Sequence, residues 1–245
     1  MWTWRTAGVS GDATGWAMGF TDRHGGVSVG DFAGLNLGGH VGDDPEAVRR
    51  NRSLVAADLG LADDRLVLME QVHGARVARI EEIPATPPRA DAMVTARPGL
   101  ALAVLVADCV PVLLADEQAG VAGVAHAGRA GLIEGVVPAV VAALRDLGAR
   151  ALRAVVGPAV CGRCYEVPAG LRDAARDAAP ESAARSWCGT PSIDVATGVV
   201  AQLADLGVQV DWRPGCTRED PSLYSHRRDG RTGRFAGVVV AGVAA

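Results

Sequence analysis

Residues 101–132 read ALAVLVADCVPVLLADEQAGVAGVAHAGRAGL, and the fold is argued outward from this stretch. Its three apolar runs each have the length of a buried strand. They carry Asp108 and Cys109 to one strand end and His126 to another. A Gly-containing turn, residues 127–131, follows His126 and opens a helix. The apolar positions of that helix, Ile133, Val136, Val137, Val140, Val141, Leu144 and Leu147, recur at the helical period and are closed by Gly148. Pro138 falls inside the stripe and predicts a kink or a late start.

Upstream, Asp44-Pro45 is a helix start, with Asp as N-cap and Pro at the first helical position; Gly60 ends the helix, and Val48, Val55 and Leu59 form its buried face. Gly15–Thr21 reads as a first strand, followed by the turn Arg23-His24-Gly25-Gly26, and the Gly-rich residues 32–44 read as an irregular loop. Short strands are predicted at 66–69, 76–80 and 91–95, with a Pro-rich connector at 83–89. His73 therefore sits at a strand-turn-strand junction. Downstream, strands are predicted at 152–156, 208–212 and 235–241, helices at 169–178 and 193–206, and polar loops at 159–167 and 216–234. There is no fixed-period repeat, and residues 1–245 read as one domain. Consecutive strands without strict alternation point to mixed sheets with helices outside.

Composition narrows the function classes. Hydrophobic residues make up 49% of the 245 and aromatics only 4%, so Val, Ala and Leu must fill the core. A net charge of -4 leaves no electrostatic footprint for nucleic acid. The N-terminus lacks an apolar run behind a basic start, and Asp108, Asp116 and Glu117 cut the longest apolar runs short of the roughly 20 residues a bilayer requires. The expectation is a cytoplasmic protein with no membrane partner. Five cysteines, an odd count, favour reduced thiols over a disulfide framework.

Four groupings could carry chemistry. His73, Cys109 and His126 could hold zinc or copper with one position open, and each could equally be a core or solvated residue. Cys109 could instead be a nucleophile, with His126 or His73 as base and Asp108 orienting it. Against this, the adjacent carboxylate raises a thiol pKa and no helix start follows to lower it. Cys161-Gly162-Arg163-Cys164 is a lone CxxC with no second pair, and reads as structural. The loop Tyr224-Ser225-His226-Arg227-Arg228, with Thr232 and Arg234, suits a phosphate or carboxylate. A solvated charged loop explains the same letters.

With these residues in view, the chain resembles the YfiH or YlmD type of laccase-domain protein, long labelled multicopper polyphenol oxidase and now described as purine nucleoside phosphorylase. The resemblance rests on an ordered set: residues 19–23 (GFTDR) with Gly25-Gly26, Asn36-Leu37, residues 40–44 (HVGDD), 71–74 (QVHG), Asp91-Ala92, 107–111 (ADCVP), 126–128 (HAG), Gly157-Pro158, 164–167 (CYEV), Cys216-Thr217, Tyr224-Ser225, Arg227-Arg228 and 232–234 (TGR). It implies an α+β fold, a layered α/β/β/α sandwich with mixed β-sheets. It implies one catalytic metal, zinc or in some members copper, on His73, Cys109 and His126. It brings phosphorolysis of adenosine, inosine and methylthioadenosine, deamination of adenosine, and a link to peptidoglycan-precursor editing that a Cys-His amide hydrolase would serve. The partners implied are a purine nucleoside and phosphate, for a monomer or homodimer. Arg23, Arg227 and Arg228 are expected around phosphate, with Asn36, Tyr165, Glu166 and Ser225 as further pocket residues. Where the family commonly has Trp-Arg after His-Ala-Gly, this chain has Arg129-Ala130. Copper-dependent phenol oxidation fits less well, because His24, His40, His73, His126 and His226 are too few for a multicopper cluster.

Overall fold

The computed structural model describes residues 1–9 and 14–244. The chain opens with an antiparallel pair, β1 (Trp2–Val9) and β2 (Thr14–Thr21). Helix α1 (Pro45–Asp58) follows the long loop. Its N-cap Asp44 accepts from the Glu46 amide at 3.0 Å, an interaction that typically contributes about 1 kcal/mol. Gly60 adopts φ 72° just past its end, where a residue with a Cβ is strained. Short strands β3 (Leu66–Val67), β4 (Val77–Arg79) and β5 (Ala92–Thr95) precede the central strands β6 (Leu100–Val106), β7 (Val110–Asp116) and β8 (Val121–Ala127).

The predicted helix after His126 is two helices, α2 (Arg129–Glu134) and α3 (Val136–Asp146). The break lies at Gly135, which is left-handed at φ 87°. Pro138 thereby lands in the first turn of α3, where its missing N–H costs nothing. Then come β9 (Arg153–Val156), α4 (Ala169–Ala178), a two-strand ribbon of β10 (Ala183–Arg185) and β11 (Pro191–Ile193), α5 (Val195–Asp205), β12 (Gln209–Trp212), the single turn α6 (His226–Asp229) and β13 (Phe235–Ala244).

Two sheets stack face to face. One has the order β1-β2-β13-β6-β3, the other β12-β9-β7-β8-β5-β4, and each mixes parallel with antiparallel pairs. The period-2 pleat of the central strands assigns every residue to a layer. Leu100, Leu102, Val104 and Val106 of β6 meet Leu113 and Ala115 of β7, Val124 of β8 and Phe20 between the sheets. The alternate residues Ala101, Ala103 and Leu105 pack outward under Val55 and Ala56 of α1 and Leu59 just past its end. On the far side, Val110, Val112, Leu114 and Ala125 lie under Val137, Val140, Val141 and Leu144 of α3 and Val199 and Leu203 of α5. The result is an α/β/β/α sandwich. Strands buried on both faces read as continuous apolar runs, which is why residues 101–132 dominate the sequence.

The connections matter more than the layers. The link between β6 and β7, residues 107–109, carries the chain from one sheet to the other, and so does the longer link between β3 and β4 that contains His73. No helix among the described residues is long and apolar enough to cross a membrane.

Candidate functional site

His126 lies near the end of β8, on the pleat face it shares with Ala122 and Val124, and so points between the sheets. Cys109 arrives beside it from the β6–β7 crossing and His73 from the β3–β4 crossing. One ligand-type atom from each of the three falls within 4.8 Å of the others. The two imidazoles meet edge to face with centroids 4.7 Å apart. Both crossings are sharp enough to force non-glycine residues into positive φ, His73 at 62° and Asp108 at 98°. Such backbone costs on the order of 1–3 kcal/mol per residue and persists only where surrounding bonds hold it.

Asp91, wholly buried, is what holds His73. Its Oδ1 accepts from the His73 amide at 2.8 Å, and its Oδ2 from the amides of Gly74 at 2.7 Å and Val72 at 3.2 Å. The same Oδ1 lies 2.8 Å from His126 Nδ1. A carboxylate can only accept there, so Nδ1 carries the proton and Nε2 is left for a metal or the thiol. Burial works against ionisation of Asp91, but the bonds from His126, Gly74 and His73 outweigh it and its pKa falls below the usual value. Burial likewise opposes the Cys109 thiolate, yet His126 and His73 beside it pull the thiol pKa down; in return the Cys109 sulfur and Asp91 raise His126 against its burial. Thiolate and imidazolium therefore favour each other at this pair.

The donor set fits a metal. Two imidazole nitrogens and a thiolate are the soft and borderline ligands of zinc and copper, and three protein ligands leave a coordination position open. Gly128 makes the room: a Cβ there would lie 3.1 Å from Cys109 Sγ and 3.3 Å from His73 Cδ2.

These residues line a cavity of about 520 Å³ whose walls also include His40, Gln71, Asp108, Arg129, Ala130, Tyr165, His226, Arg227 and Arg234. The Arg227 guanidinium lies 4.9 Å over the Tyr165 ring. Burial, the Arg234 and Arg52 charges and the two site histidines hold the His40 pKa down. Gln71 is pinned to the β6 backbone by paired bonds with Leu105, 2.7 and 2.9 Å. Arg129 and Ala130 both line this cavity.

The other expected site residues take different parts from those expected of them. Asp108 orients neither histidine: its Oδ1 accepts from the Thr217 and Ser225 hydroxyls, both at 2.6 Å, and its Oδ2 from the Arg227 amide at 2.6 Å. The orienting carboxylate is Asp91. Ser225 is spent between Asp108 and capping α6 through the Arg228 amide. The Arg228 guanidinium donates to the carbonyls of Thr217, Asp220 and Leu223 and to Asp229, and knits the 216–234 loop together. Arg23 stacks 4.8 Å over Tyr224 and donates to Ala33 O. Asn36 is buried; its Oδ1 accepts from the amides of Gly38 at 2.9 Å and Arg234 at 2.8 Å, which seats Arg234 from behind. Glu166 accepts from Thr190 at the protein surface. Of the seven expected pocket residues, Tyr165 and Arg227 line the cavity.

The family model described as multi-copper polyphenol oxidoreductase laccase matches residues 17–242. A Streptomyces coelicolor protein named purine nucleoside phosphorylase is 56% identical over 229 residues, 91% of this chain and 94% of that one. A Deinococcus radiodurans protein of the same name is 42% identical, over 90% of this chain and 87% of its own. Among solved structures, YlmD from Geobacillus stearothermophilus superposes with a TM-score of 0.86 at 31% identity, covering 96% of this chain and 94% of its own. A Neisseria meningitidis protein, NMB0706, gives 0.83 at 35% identity, over 93% and 95%. With the fold, the His-Cys-His constellation and these likenesses in agreement, the chain belongs to the multi-copper polyphenol oxidoreductase laccase family in its YfiH/YlmD form.

Proposed function

We propose that this chain is a zinc-dependent purine nucleoside phosphorylase, with His73, Cys109 and His126 as the metal ligands. The observation that carries the reading is the company they keep. In a chain of net charge -4, three guanidinium-bearing residues, Arg129, Arg227 and Arg234, and the aromatic ring of Tyr165 converge on the same cavity. Planar cationic forks suit phosphate, and an aromatic ring suits a purine. The names of the relatives at 42–56% identity point to the same substrates.

When bound, a zinc ion supplies concentrated positive charge and an open position beside the cavity. The chain supplies the rest. The arginines hold phosphate against the ribose; one phosphate oxygen forms a bond to C1′ as the C1′–N9 bond breaks, and the electron pair leaves with the purine, which takes up a proton on a ring nitrogen. The products are ribose 1-phosphate and free base. Asp91 keeps His126 in a single tautomer throughout, and His40, its pKa held down, is a neutral imidazole within the cavity at neutral pH. The same pocket could admit water to C6 of adenosine, the family's deaminase step.

A Cys-His amide hydrolase is the second reading, because Asp91, His126 and Cys109 also form an orienter-base-nucleophile series. The second imidazole, His73, favours the metal: a nucleophile needs one base, whereas a ligand set needs both histidines.

The test incubates purified, zinc-loaded protein with adenosine or inosine, with and without phosphate, and measures free base, ribose 1-phosphate and ammonia. Phosphate-dependent base release, abolished by Cys109→Ser together with the zinc held by His73, Cys109 and His126, is expected. Arg227→Ala should raise the KM for phosphate roughly 10-fold or more, as loss of a charged hydrogen bond of about 1.5–3 kcal/mol implies. Base release that ignores phosphate, or none at all, overturns the proposal. Cys109→Ser that removes amidase activity while zinc content stays constant would favour the hydrolase.

A further inference from the structure

A second cluster of metal-type ligands lies outside the cavity just described. Residues 161–164 (CGRC) and 216–219 (CTRE) are far apart in sequence and form two turns of the same design. In the first, the Cys164 amide donates to Cys161 O at 2.9 Å; in the second, the Glu219 amide donates to Cys216 O at 3.0 Å. Each carbonyl takes a further amide, from Tyr165 at 3.1 Å and Asp220 at 2.9 Å. A parallel bridge between Ala159 and Cys216 sets the turns side by side, through Ala159 N to Gly215 O and Thr217 N to Ala159 O, both 3.1 Å. Two ligand-x-x-ligand turns closed by backbone bonds and aligned in register are the arrangement by which a chain surrounds a tetrahedral ion.

The side chains complete it. One ligand atom each from Cys161, Cys164, Cys216 and Glu219 falls within 4.8 Å of all the others, and Cys164 Sγ lies 3.2 Å from Glu219 Oε1. Sulfurs on a common zinc at about 2.3 Å are roughly 3.8 Å apart, within reach of small side-chain rotations. A disulfide would use two of the three thiols and leave the third beside it. Gly162 presses the first turn down, since a Cβ there would lie 2.8 Å from Asp194 Cβ and 3.0 Å from Ala184 Cβ.

We propose that Cys161, Cys164, Cys216 and Glu219 form a second, structural zinc site that staples two loops of the catalytic wall together. Four protein ligands fill the tetrahedron and leave no position for substrate, in contrast to the three at His73, Cys109 and His126. The staple has consequences next door. Cys164 precedes Tyr165, which lines the catalytic cavity, and Cys216 precedes Thr217, whose hydroxyl holds Asp108 at 2.6 Å. The site does not depend on the phosphorylase reading.

The experiment measures zinc per chain, by elemental analysis, in wild type, Cys161→Ser/Cys216→Ser and Cys109→Ser, each purified reduced from zinc-replete medium. The double variant should hold about one zinc fewer than wild type, while Cys109→Ser retains this zinc and yields it to a chromogenic chelator when a mercurial blocks the thiols. Equal zinc in wild type and the double variant overturns the proposal. Should the double variant fail to fold, Cys109→Ser decides alone. Cobalt in place of zinc should still give an intense sulfur-to-cobalt absorption and quench Trp187, whose indole nitrogen is 3.4 Å from Glu219 Oε1. Absence of that absorption, in a chain without the catalytic thiol, overturns it equally.

Discussion

Replacing Asp91 by Asn should disable the proposed metal centre without touching a proposed ligand. Asp91 accepts from two donors on each oxygen: His73 N and His126 Nδ1 on Oδ1, Gly74 N and Val72 N on Oδ2. An Asn amide, in either orientation, turns an NH2 toward two of those donors, so two N–H groups directed at this buried position lose their acceptor. At about 1–3 kcal/mol for each unsatisfied donor, a loss near 3 kcal/mol is the working figure. For a domain of this size that corresponds to roughly 6–12 °C in Tm. The second effect is on the ligands. With the NH2 at the Oδ1 position His126 loses its fixed tautomer and His73 its amide anchor; with the NH2 at the Oδ2 position the Val72 and Gly74 amides that flank His73 are released instead, and in either case zinc affinity should fall about 10- to 100-fold. The assay is calorimetric unfolding of the metal-free protein, followed by zinc titration against a competing chelator at a temperature where both proteins are folded. The metal-free measurement separates the lost backbone bonds from the lost metal. An Asp91→Asn protein with wild-type Tm and zinc affinity would refute the reasoning, since four bonds of 2.7–3.2 Å to one buried carboxylate leave no room for a neutral outcome.

Two further outcomes follow from the same geometry. Gly128→Ala should fold, because φ is -81° at that position, but its methyl would sit 3.1 Å from Cys109 Sγ; zinc titration should show affinity down by roughly tenfold, with an unchanged circular dichroism spectrum. Asp116, buried at the β7–β8 turn, accepts from the amides of Gln118, Ala119, Arg150 and Ala151, and although burial opposes its ionisation these bonds lower its pKa. Its contribution is therefore complete above the unfolded value near 3.9 and is lost as pH falls through the lower folded value. Asp116→Asn should cost about 2–3 kcal/mol at pH 7, and urea unfolding should show the gap to wild type closing below about pH 4; a pH-independent gap would contradict this.

Much of the scaffold was legible in the letters because it is written in local rules. Asp44-Pro45 and Gly60 bound α1 as expected, and the stripe from Val136 to Leu144 lies buried under the second sheet. Gly135, and not Pro138, sets the helix break, because a residue required in the left-handed region outranks one that a first turn tolerates. Strand β1 was missed: Trp2, Trp4 and Arg5 carry no clean alternation, and the strand exists through pairing with β2. At the site, the metal-type residues were visible by type, and Asp91 stood in the ordered set of the resemblance, but the orienting role was assigned to Asp108. Asp91 works through backbone amides of a turn distant in sequence, which leave no signature. Arginines mislead for a related reason. Arg228 looks like Arg227 in the sequence, yet it is consumed by four loop carbonyls and Asp229, and the cavity takes Arg129 and Arg234 instead. The lone CxxC read as structural because its partners, Cys216 and Glu219, come from a different loop.

The positive φ of His73 bears on redesign of the centre. Few side chains tolerate that backbone; His, Asn and Asp are among them, and β-branched or bulky residues are not. Cys109 and His126 are outside the left-handed region, so the backbone leaves the choice of side chain open at both, and a replacement at His126 has only to answer the Asp91 carboxylate as well. Any attempt to retune this protein for a softer or harder cation thus has two adjustable ligands and one that the chain itself restricts to a short list.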